Sequence, residues 1–460
     1  MATAAKQAST GPDADIPVRD PAPGARGPGG SAPAFAQTLA WALAPTWVMD
    51  RCSAALGDAF TLTFAPSGLK LVLISDPAAV KELFTAPPDV APSSAASSPI
   101  APVMGPHSVI TLIGPEHLRQ RKLLLPPFHG ERMREYEHVI IEATRRDMAG
   151  WELGSPMRLQ SHTRAITLEV ILRAVFGVEA ERMGPLRTAI TELLAPTHTL
   201  TLLRAALRAP GAGVPARFAA ALARLDTLIY TEIAGRRAAG GLEQRSDILS
   251  LLLRARDEDG REMSDEELRD ELVSLLLAGH ETTATAVAWA VERLVRHPDA
   301  LARLLAEIDA GEGEDYLAAV VNETLRVRPV VPIVARLLTE QLQVGDRMLP
   351  AGTRVVPSIY LTNRNPRAYA APKEFRPERF LESAPDTFAW IPFGGGIRRC
   401  IGASFAQLEM RLMLRTMLAE HEPRVPDRSL WRRREPVRRR AITLVPASGA
   451  RVVWERRRVR

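Results

Sequence analysis

The stretch Phe-Gly-Gly-Gly-Ile-Arg-Arg-Cys-Ile-Gly-Ala, residues 393–403, decides the fold of this chain. Its three glycines allow the backbone to approach a flat, bulky partner closely. Gly402 lies where a helix is expected to begin, and it permits close packing there. Cys400 therefore lies near a helix N-terminus and beside two arginines, both of which lower the pKa of a thiol. A lone cysteine is usually buried and inert, but the spacing Phe-x-x-Gly-x-Arg-x-Cys-x-Gly makes that interpretation improbable and favours a thiolate. A catalytic nucleophile is the other option, but no Cys–His arrangement accompanies it.

The longest predicted helix lies upstream, from Ser264 to Arg296. Ser264 and Glu267 form the Ser-x-x-Glu pattern of a capping box, and His297-Pro298 ends the helical pattern. At 1.5 Å per residue this helix spans roughly 50 Å, which is enough to cross a whole domain. Its middle is apolar on nearly every side, so we expect the centre of the helix to be buried.

Polar residues interrupt this apolar centre in the segment Ala-Gly-His-Glu-Thr-Thr, residues 278–283. A buried glutamate needs a partner or a raised pKa, and a helical threonine tends to bond to the carbonyl four residues earlier. Such clustered departures from local rules are expected at functional sites. On the helix alone two interpretations stay open: a satisfied structural cluster, or an acid–hydroxyl pair, Glu281 and Thr282, that delivers protons to a pocket.

Composition excludes several classes of protein. The chain has 460 residues and 46% apolar composition, which is ample for a large core. Cys52 and Cys400 are too few for a disulfide framework or a Cys-rich zinc site, which favours a reducing compartment. No stretch reaches the ~18 uncharged apolar residues of a membrane span, and the first 30 residues lack a signal peptide's apolar region. We expect a cytoplasmic protein.

Arginines crowd the C-terminal end of a chain whose net charge is +6. They are Arg432, Arg433, Arg434, Arg438, Arg439, Arg440, Arg456, Arg457, Arg458 and Arg460. No nucleic-acid motif accompanies them. We interpret them as solvated surface residues rather than as a site for nucleic acid or anionic lipid.

The remaining patterns indicate a chain that is mainly α with small β-sheets. Residues 1–32, rich in Ala, Pro and Gly, are predicted to form a flexible tail, and residues 33–460 a single domain. Residues 60–76 partly alternate about a Pro-Ser-Gly turn, which predicts a hairpin. Residues 86–107 form a long Pro/Ser/Ala-rich connection of the kind that serves as a lid or binding loop. Residues 115–330 are predicted to form successive helices.

Taken together, these motifs resemble those of the cytochrome P450 superfamily, most closely its soluble bacterial members. The haem-binding signature Phe-x-x-Gly-x-Arg-x-Cys-x-Gly is matched from Phe393 to Gly402. The oxygen-activation motif of the family's long helix is matched by residues 278–283. The resemblance implies the triangular P450 fold, with the long central helix over the haem.

A third motif of the family, Glu-x-x-Arg, is matched by Glu323 and Arg326. At this spacing the acid and the base share one helix face. The segment Phe-Arg-Pro-Glu-Arg-Phe at 375–380 resembles a later segment of the family, whose Arg379 would complete a buried structural triad.

The resemblance also implies a cofactor, haem b, ligated through the thiolate of Cys400. The residues assigned to haem binding are His117, Arg121, Arg336, Phe393, Gly394, Arg398, Cys400 and Gly402. Cations are needed because haem carries two carboxylates into a mostly apolar site. Many members have tryptophan where His117 stands, and either ring can donate an N–H to a carboxylate.

The implied activity is insertion of one oxygen atom of O2 into an apolar small molecule of the fatty-acid, terpenoid, steroid or macrolide-like kind. Glu281 and Thr282 are expected to relay protons. The pocket is expected to be lined by the loop at residues 100–110 and by Leu275, Ala278, Val330, Val331, Val334 and Ile442.

Electrons are expected from a separate ferredoxin and its reductase, because the chain has too few cysteines for an iron–sulfur cluster. Arg119, Lys122 and Arg399 would form part of a positive face for that acidic partner, and the enzyme is expected to be a monomer. The alternatives are a haem isomerase or dehydratase, a peroxygenase, and a non-enzymatic haem sensor. Members with the first two activities often lack the acid–threonine pair that Glu281 and Thr282 supply here.

Overall fold

A computed structural model describes residues 32–95, 101–130, 132–177, 183–194, 216–311, 313–427 and 435–457. The predicted tail therefore lies, apart from Ala32, outside the described residues. Helices dominate, as predicted. They are α1 (Ala34–Leu43), α2 (Pro45–Leu56), α3 (Pro77–Thr85), α4 (Ala101–Met104), α5 (Gly114–Leu124), α6 (Arg132–Glu135), α7 (Glu137–Met148), α8 (Leu159–Phe176), α9 (Gly184–Leu194), α10 (Ala216–Ala239), α11 (Ile248–Arg254), α12 (Asp265–Leu294), α13 (Pro298–Ala310), α14 (Asp315–Val327), α15 (Ile359–Thr362), α16 (Arg379–Glu382) and α17 (Ala403–Glu420).

The sheets are small. The strands are β1 (Ala59–Phe64), β2 (Leu69–Ile74), β3 (Pro156–Arg158), β4 (Arg336–Leu337), β5 (Leu342–Val344), β6 (Arg347–Leu349), β7 (Arg354–Pro357), β8 (His421–Arg424), β9 (Val437–Arg440), β10 (Thr443–Pro446) and β11 (Arg451–Arg456). One four-stranded sheet has the order β1-β2-β7-β4, in which β2 and β7 are parallel. The hairpin predicted over residues 60–76 is the antiparallel pair β1–β2, in which Phe64 opposes Leu69.

The central helix α12 begins as the sequence predicts. The Ser264 hydroxyl accepts the Glu267 amide at 3.2 Å, and the Glu267 carboxylate accepts the Ser264 amide at 2.8 Å. The helix ends at Leu294, two residues before the predicted end. There the amide of His297 bonds to Leu294, three residues back, and this tighter turn leaves the α-helical pattern.

The middle of α12 is enclosed by neighbouring helices, chiefly α8, and belongs to the main hydrophobic core. Two threonines of α8 bond to its carbonyl groups: Thr167 donates to His280 at 2.9 Å, and Thr163 donates to Ala284 at 2.9 Å. These bonds fix how α12 is rotated about its axis. The rotation decides which side chains of residues 278–283 are covered and which face an opening.

The C-terminal arginines are less uniform than predicted. Arg439 and Arg440 are half-buried in β9, and Arg457 donates to the Leu418 carbonyl and pairs with Asp309. The interpretation as solvated residues is wrong for these three, because strand pairing carries them against the domain. Arg438 and Arg456 are exposed; residues 432–434, 458 and 460 lie outside the described residues. Among the helices of the described residues, none has both the length and the apolar character of a membrane crossing.

Candidate functional site

The loop before α17 presents Cys400 at the start of that helix. The Cys400 amide donates to the Phe393 carbonyl at 2.9 Å, and the Arg399 amide donates to Gly396 at 3.0 Å. Phe393 in turn packs against Trp390, with ring centroids 6.1 Å apart. The loop is thus closed on itself, and the Cys400 side chain remains exposed.

Two glycines of this loop approach a flat side chain closely. A Cβ atom at Gly395 would lie 2.2 Å from the Phe84 ring, and one at Gly396 would lie 2.3 Å from the Phe84 carbonyl oxygen. The bulky group that these two glycines approach is therefore Phe84 of α3. Gly402 has ordinary backbone angles and meets no protein atom within 4 Å of an added Cβ. The close packing expected at Gly402 is not made by the chain itself.

The electrostatics at Cys400 also differ from the expectation. Solvent reaches the Cys400 side chain from one side, but the protein packed around the sulfur desolvates it and raises the pKa of the thiol, while the Gly402 amide and the cations of Arg121 and Arg399 lower it by less. The predicted net lowering of the pKa is wrong for the protein alone, because desolvation outweighs the helix start and the arginines. A metal ion bound at the sulfur would supply the missing stabilisation of the thiolate.

Four of the predicted haem-binding residues form one cluster. Burial and the charges of Arg398, Arg121 and Arg336 lower the pKa of His117 to about 3, so its ring is neutral. Burial lowers the pKa of Arg336 and of Arg398 to about 10. His117 is buried, and its Nδ1 has no hydrogen-bond partner among the described residues. Cations and an orphaned ring nitrogen fit a ligand that brings carboxylates, as haem does.

Glu281 and Thr282 face different surroundings on α12. The Thr282 hydroxyl donates to the Ala278 carbonyl at 2.6 Å, which is the predicted backbone bond. Ala278 is exposed although it lies in the middle of a helix whose residues are mostly buried, so this side of α12 faces an opening. Glu281 is buried, with one oxygen 2.9 Å from Arg164 and the other 3.5 Å from Arg440.

The protonation of this region follows from burial. Burial raises the pKa of Glu281, and the cations of Arg164 and Arg440 partly oppose that shift. Burial and the same two arginines lower the pKa of His280 to about 3, so His280 is neutral. Its Nδ1 lies 3.1 Å from the Thr167 hydroxyl. Sequence reasoning missed both arginines: Arg440 was assigned to the surface, and nothing in the sequence marks Arg164.

The predicted pocket residues fall into two groups. Leu275, Val331 and Val334 are half-buried, Ala278 is exposed, and Ile442 is 46% exposed. Val330, by contrast, packs in the main core. Its carbonyl accepts the Leu444 amide at 2.7 Å, which holds the turn of Ile442 beside the 330–334 segment.

The predicted triad is present as a buried network. Glu323 accepts from Arg326 at 2.6 and 2.8 Å and from Arg379 at 3.2 Å. Arg326 also donates to the Asn363 carbonyl at 3.0 Å, and the Asn363 side chain accepts the Ile391 amide at 2.9 Å. The network therefore reaches the segment that leads into the Cys400 loop.

The predicted positive face is largely neutralised. Arg119 lies 2.5 Å from Asp257 and 2.6 Å from Glu267, and Lys122 lies 2.6 Å from Glu258. Arg399 remains exposed beside Cys400. A docking site for an acidic partner would have to rely on Arg399 more than on Arg119.

Comparison with known proteins agrees with this site. The profile of the cytochrome P450 family matches residues 29–448. The protein named cytochrome P450 137 in Mycobacterium tuberculosis is 44% identical over 391 residues, covering 83% of this chain and 80% of that protein. The protein named cytochrome P450 135B1 in Mycobacterium bovis is 40% identical over 412 residues, covering 88% and 86%. The structure of retinoic acid-bound cyanobacterial CYP120A1 matches with a TM-score of 0.79 at 24% identity, covering 92% and 96%, and shows the same fold. The chain belongs to the cytochrome P450 family and is a monooxygenase that binds haem through a cysteine thiolate.

Proposed function

We propose that this enzyme oxygenates an apolar small molecule of the fatty-acid, terpenoid, steroid or macrolide-like class. Its electrons come from a separate ferredoxin and ferredoxin reductase in the cytoplasm. The observation that carries the proposal is the pair Glu281 and Thr282 at an opening in the middle of α12. When bound, haem b supplies the binding and activation of O2.

Cys400 holds the iron in this proposal. Cys52 is the other cysteine of the chain, but its side chain is only 1% exposed and packs in the core, where no ligand can reach it. Cys400 is exposed at the start of α17. His117, Arg121, Arg336 and Arg398 would bind the two propionates, since together they offer positive charge and a free ring nitrogen.

Glu281 and Thr282 move protons in this proposal. A buried carboxyl with a raised pKa holds its proton closer to neutral pH, where a general acid works best. Arg164 and Arg440 are partly exposed, so they lead from solvent to the Glu281 carboxylate. The Thr282 hydroxyl donates to Ala278 and keeps its lone pairs for a water or ligand in the opening.

The lining of the opening supports an apolar substrate. Leu275, Val331, Val334 and Ile442 are aliphatic and at least partly accessible. Burying an aliphatic group against such a wall contributes roughly 25 cal/mol per Å² of apolar surface. Affinity for the substrate would therefore come mainly from its hydrocarbon part.

A screen by the Soret band of the haem-loaded protein tests the substrate class. We expect apolar compounds of these classes to give a type I shift. A compound that binds should then be oxygenated only when NADPH, O2, a ferredoxin and its reductase are all present. Equal turnover with hydrogen peroxide alone would make the enzyme a peroxygenase, and turnover with no oxidant would make it an isomerase.

The ligand assignment has its own test and a matched control. Cys400→Ala should lose the strongly red-shifted Soret band of the reduced carbon monoxide complex. Cys52→Ala should keep it. Retention of that band in Cys400→Ala would refute the assignment of the iron ligand.

A further inference from the structure

Two arginines that neither the haem cluster nor the proton relay uses lie at the end of α14. Arg328 is the residue that follows this helix, and Arg364 lies two residues after α15. Both side chains are half-buried. The Arg364 guanidinium donates to the carbonyl of Val327, the last residue of α14. This bond brings Arg364 to the residue next to Arg328.

Each of the two guanidinium groups lies over an aromatic ring. The Cζ atom of Arg328 lies 4.9 Å from the centre of the Trp289 ring, and that of Arg364 lies 3.8 Å from the centre of the Tyr360 ring. Trp289 is itself fixed, because its Nε1 donates to the Leu444 carbonyl at 3.0 Å. A guanidinium stacked on a ring keeps the N–H groups at its edge available for hydrogen bonds.

Both arginines have N–H donors that lack an acceptor. Nε of Arg328 and Nη1 of Arg364 are shielded from solvent, and neither forms a hydrogen bond within the part of the chain that the structure describes. Leaving a buried donor of a charged group unpaired is costly. A water molecule would satisfy the N–H groups but not the positive charge. The arrangement therefore calls for an anionic acceptor from outside the chain.

The acids close to this pair already have other partners. Glu292 of α12 accepts from Arg293 at 2.6 and 2.8 Å, and Arg296 donates to it as well. Asp50 of α2 accepts the Tyr360 hydroxyl at 2.9 Å. These two carboxylates face four arginines, so the group as a whole carries more positive than negative charge.

The excess of positive charge lowers the pKa of both arginines. Burial and the charges of Arg293 and Arg364 lower the pKa of Arg328 to about 9. Burial lowers the pKa of Arg364 too, although Tyr360 and Asp50 oppose that shift. The carbonyl groups that end α14 attract the two cations, but a helix end carries only about half a charge. A ligand with a full negative charge would stabilise both cations further.

We propose that Arg328 and Arg364 form a binding site for a phosphate-type oxyanion at the end of α14. Nε of one arginine and Nη1 of the other would donate to two oxygens of the same ion. Because both side chains are half-buried, the site favours a compact ion, such as free inorganic phosphate, over a phosphate group carried by a larger molecule. The site shares no residue with the proposed propionate cluster, and it does not depend on the proposed function.

The test measures urea unfolding of the haem-loaded protein by circular dichroism as phosphate is raised at constant ionic strength. The stability of the parent protein should rise along a saturation curve, since a ligand that binds only the folded state stabilises it by mass action. Arg328→Met keeps an apolar stem over Trp289 but removes the donors. It should bind phosphate about 10- to 100-fold more weakly, the equivalent of the lost charge-assisted hydrogen bonds. Calorimetric titration with phosphate should give the same ratio.

The sign of the stability change separates a ligand site from a structural arginine. Without phosphate, Arg328→Met should be at least as stable as the parent protein, because it removes a half-buried cation that has no partner. With saturating phosphate the order should reverse. Arg328→Lys keeps the charge but loses the planar fork, so it should fold and yet lose most of the affinity, which keeps the test decisive if Arg328→Met folds poorly. Arg438→Gln, at an exposed arginine of β9, is the control and should bind phosphate like the parent protein.

Further probes distinguish the source of the oxyanion. Sulfate should act like phosphate, whereas glycerol 3-phosphate should bind more weakly; stronger binding of glycerol 3-phosphate would support the site but assign it to phosphate esters. An equal effect of phosphate on the parent protein, Arg328→Met and Arg328→Lys would overturn the inference, because it would indicate a general salt effect. An equal loss of stability in Arg328→Met with and without phosphate would also overturn it. No measurement needs substrate or turnover, so failure of the proposed function would leave the result interpretable.

Discussion

Glu323 and Glu281 each lie between two arginines, yet their surroundings differ. Glu323 is fully buried and accepts well-formed hydrogen bonds from Arg326 and Arg379. Glu281 lies 2.9 Å from Arg164 and 3.5 Å from Arg440, but neither of its oxygens has a hydrogen bond of good geometry. The same charges thus form two kinds of network. The network of Glu323 is saturated, because its carboxylate oxygens accept well-formed hydrogen bonds, and the network of Glu281 is loose, because its oxygens do not.

The difference indicates what each site can do. A buried carboxylate whose lone pairs are all used can neither move nor take a proton without a large cost. Glu281 keeps free lone pairs and has a raised pKa, so a proton can arrive and leave. Two flanking arginines therefore do not by themselves show whether a glutamate has a catalytic or a structural role. The hydrogen bonds that its oxygens accept distinguish the two roles.

The largest effect is expected when the saturated network is broken. Glu323→Ala leaves Arg326 and Arg379 buried without their carboxylate, at a cost of about 3–5 kcal/mol. We expect insoluble protein or protein without haem, measured by the yield of purified protein and its haem content. Glu281→Ala is the matched control and should give folded, haem-loaded protein. A haem-replete Glu323→Ala variant with normal stability would contradict the structural role.

The two networks also differ in how far the sequence predicts them. Glu323 and Arg326 share one helix face, so their pairing follows from spacing. The capping box at Ser264 is equally local, and it is confirmed. Arg164 and Arg440 come from elements far from Glu281 in the chain, and only the packing of α8 and β9 brings them there.

The Cys400 loop shows the same limit. Its sequence predicts the cysteine and the start of α17, because both are local. It does not predict that Phe84 is the group against which Gly395 packs, since Phe84 belongs to α3. Nor does it predict the pKa of Cys400, because the desolvation that raises this pKa depends on every element packed around the thiol.

The second largest effect concerns the loose site. Thr282→Ala removes the hydroxyl beside the opening and should leave haem binding intact, since within the part of the chain that the structure describes this hydroxyl bonds to the Ala278 carbonyl and to no other group. Product formation should fall about 10²-fold or more, as for loss of a positioned proton donor. NADPH consumption should continue, with hydrogen peroxide rising as product falls. If Thr283→Ala uncouples the enzyme and Thr282→Ala does not, the relay runs through Thr283.

A third buried glutamate extends the comparison to a carboxyl that forms no ion pair with any arginine of the described ranges. Glu409 of α17 is fully buried, and burial raises its pKa to about 8, although the Thr283 hydroxyl lowers it slightly. The folded state therefore keeps a proton that the unfolded state loses above about pH 4.5. The stability due to this group is present below that pH and is lost as the pH rises towards 8.

Glu409→Gln should remove this pH dependence, because the amide does not titrate. Urea unfolding of the parent protein between pH 5 and 8 should show stability falling by up to about 1.4 kcal/mol per pH unit relative to the variant. Glu422→Gln, at a half-buried residue of β8, is the control and should follow the parent. Parallel profiles for the parent and Glu409→Gln would show that Glu409 does not carry a proton in the folded state.

The smallest effect is expected at the arginines of the loose site. Arg440 lowers the pKa of Glu281, so Arg440→Gln should raise that pKa further and leave the carboxyl protonated up to a higher pH. In the pH profile of product formation per NADPH, the limb due to Glu281 should move to higher pH. At neutral pH the rate should change only about 2- to 5-fold, because the Arg440 guanidinium lies 3.5 Å from the carboxylate and neither Glu281 oxygen accepts a well-formed hydrogen bond. Arg164→Gln should move the limb in the same direction, and by more, because Arg164 lies closer to the carboxylate.

Arg438→Gln, at an exposed neighbour in β9, should leave the profile unchanged. A limb that moves equally in Arg438→Gln would reflect overall charge, and a limb that stays in place in Arg440→Gln and Arg164→Gln would remove Glu281 from the proton path.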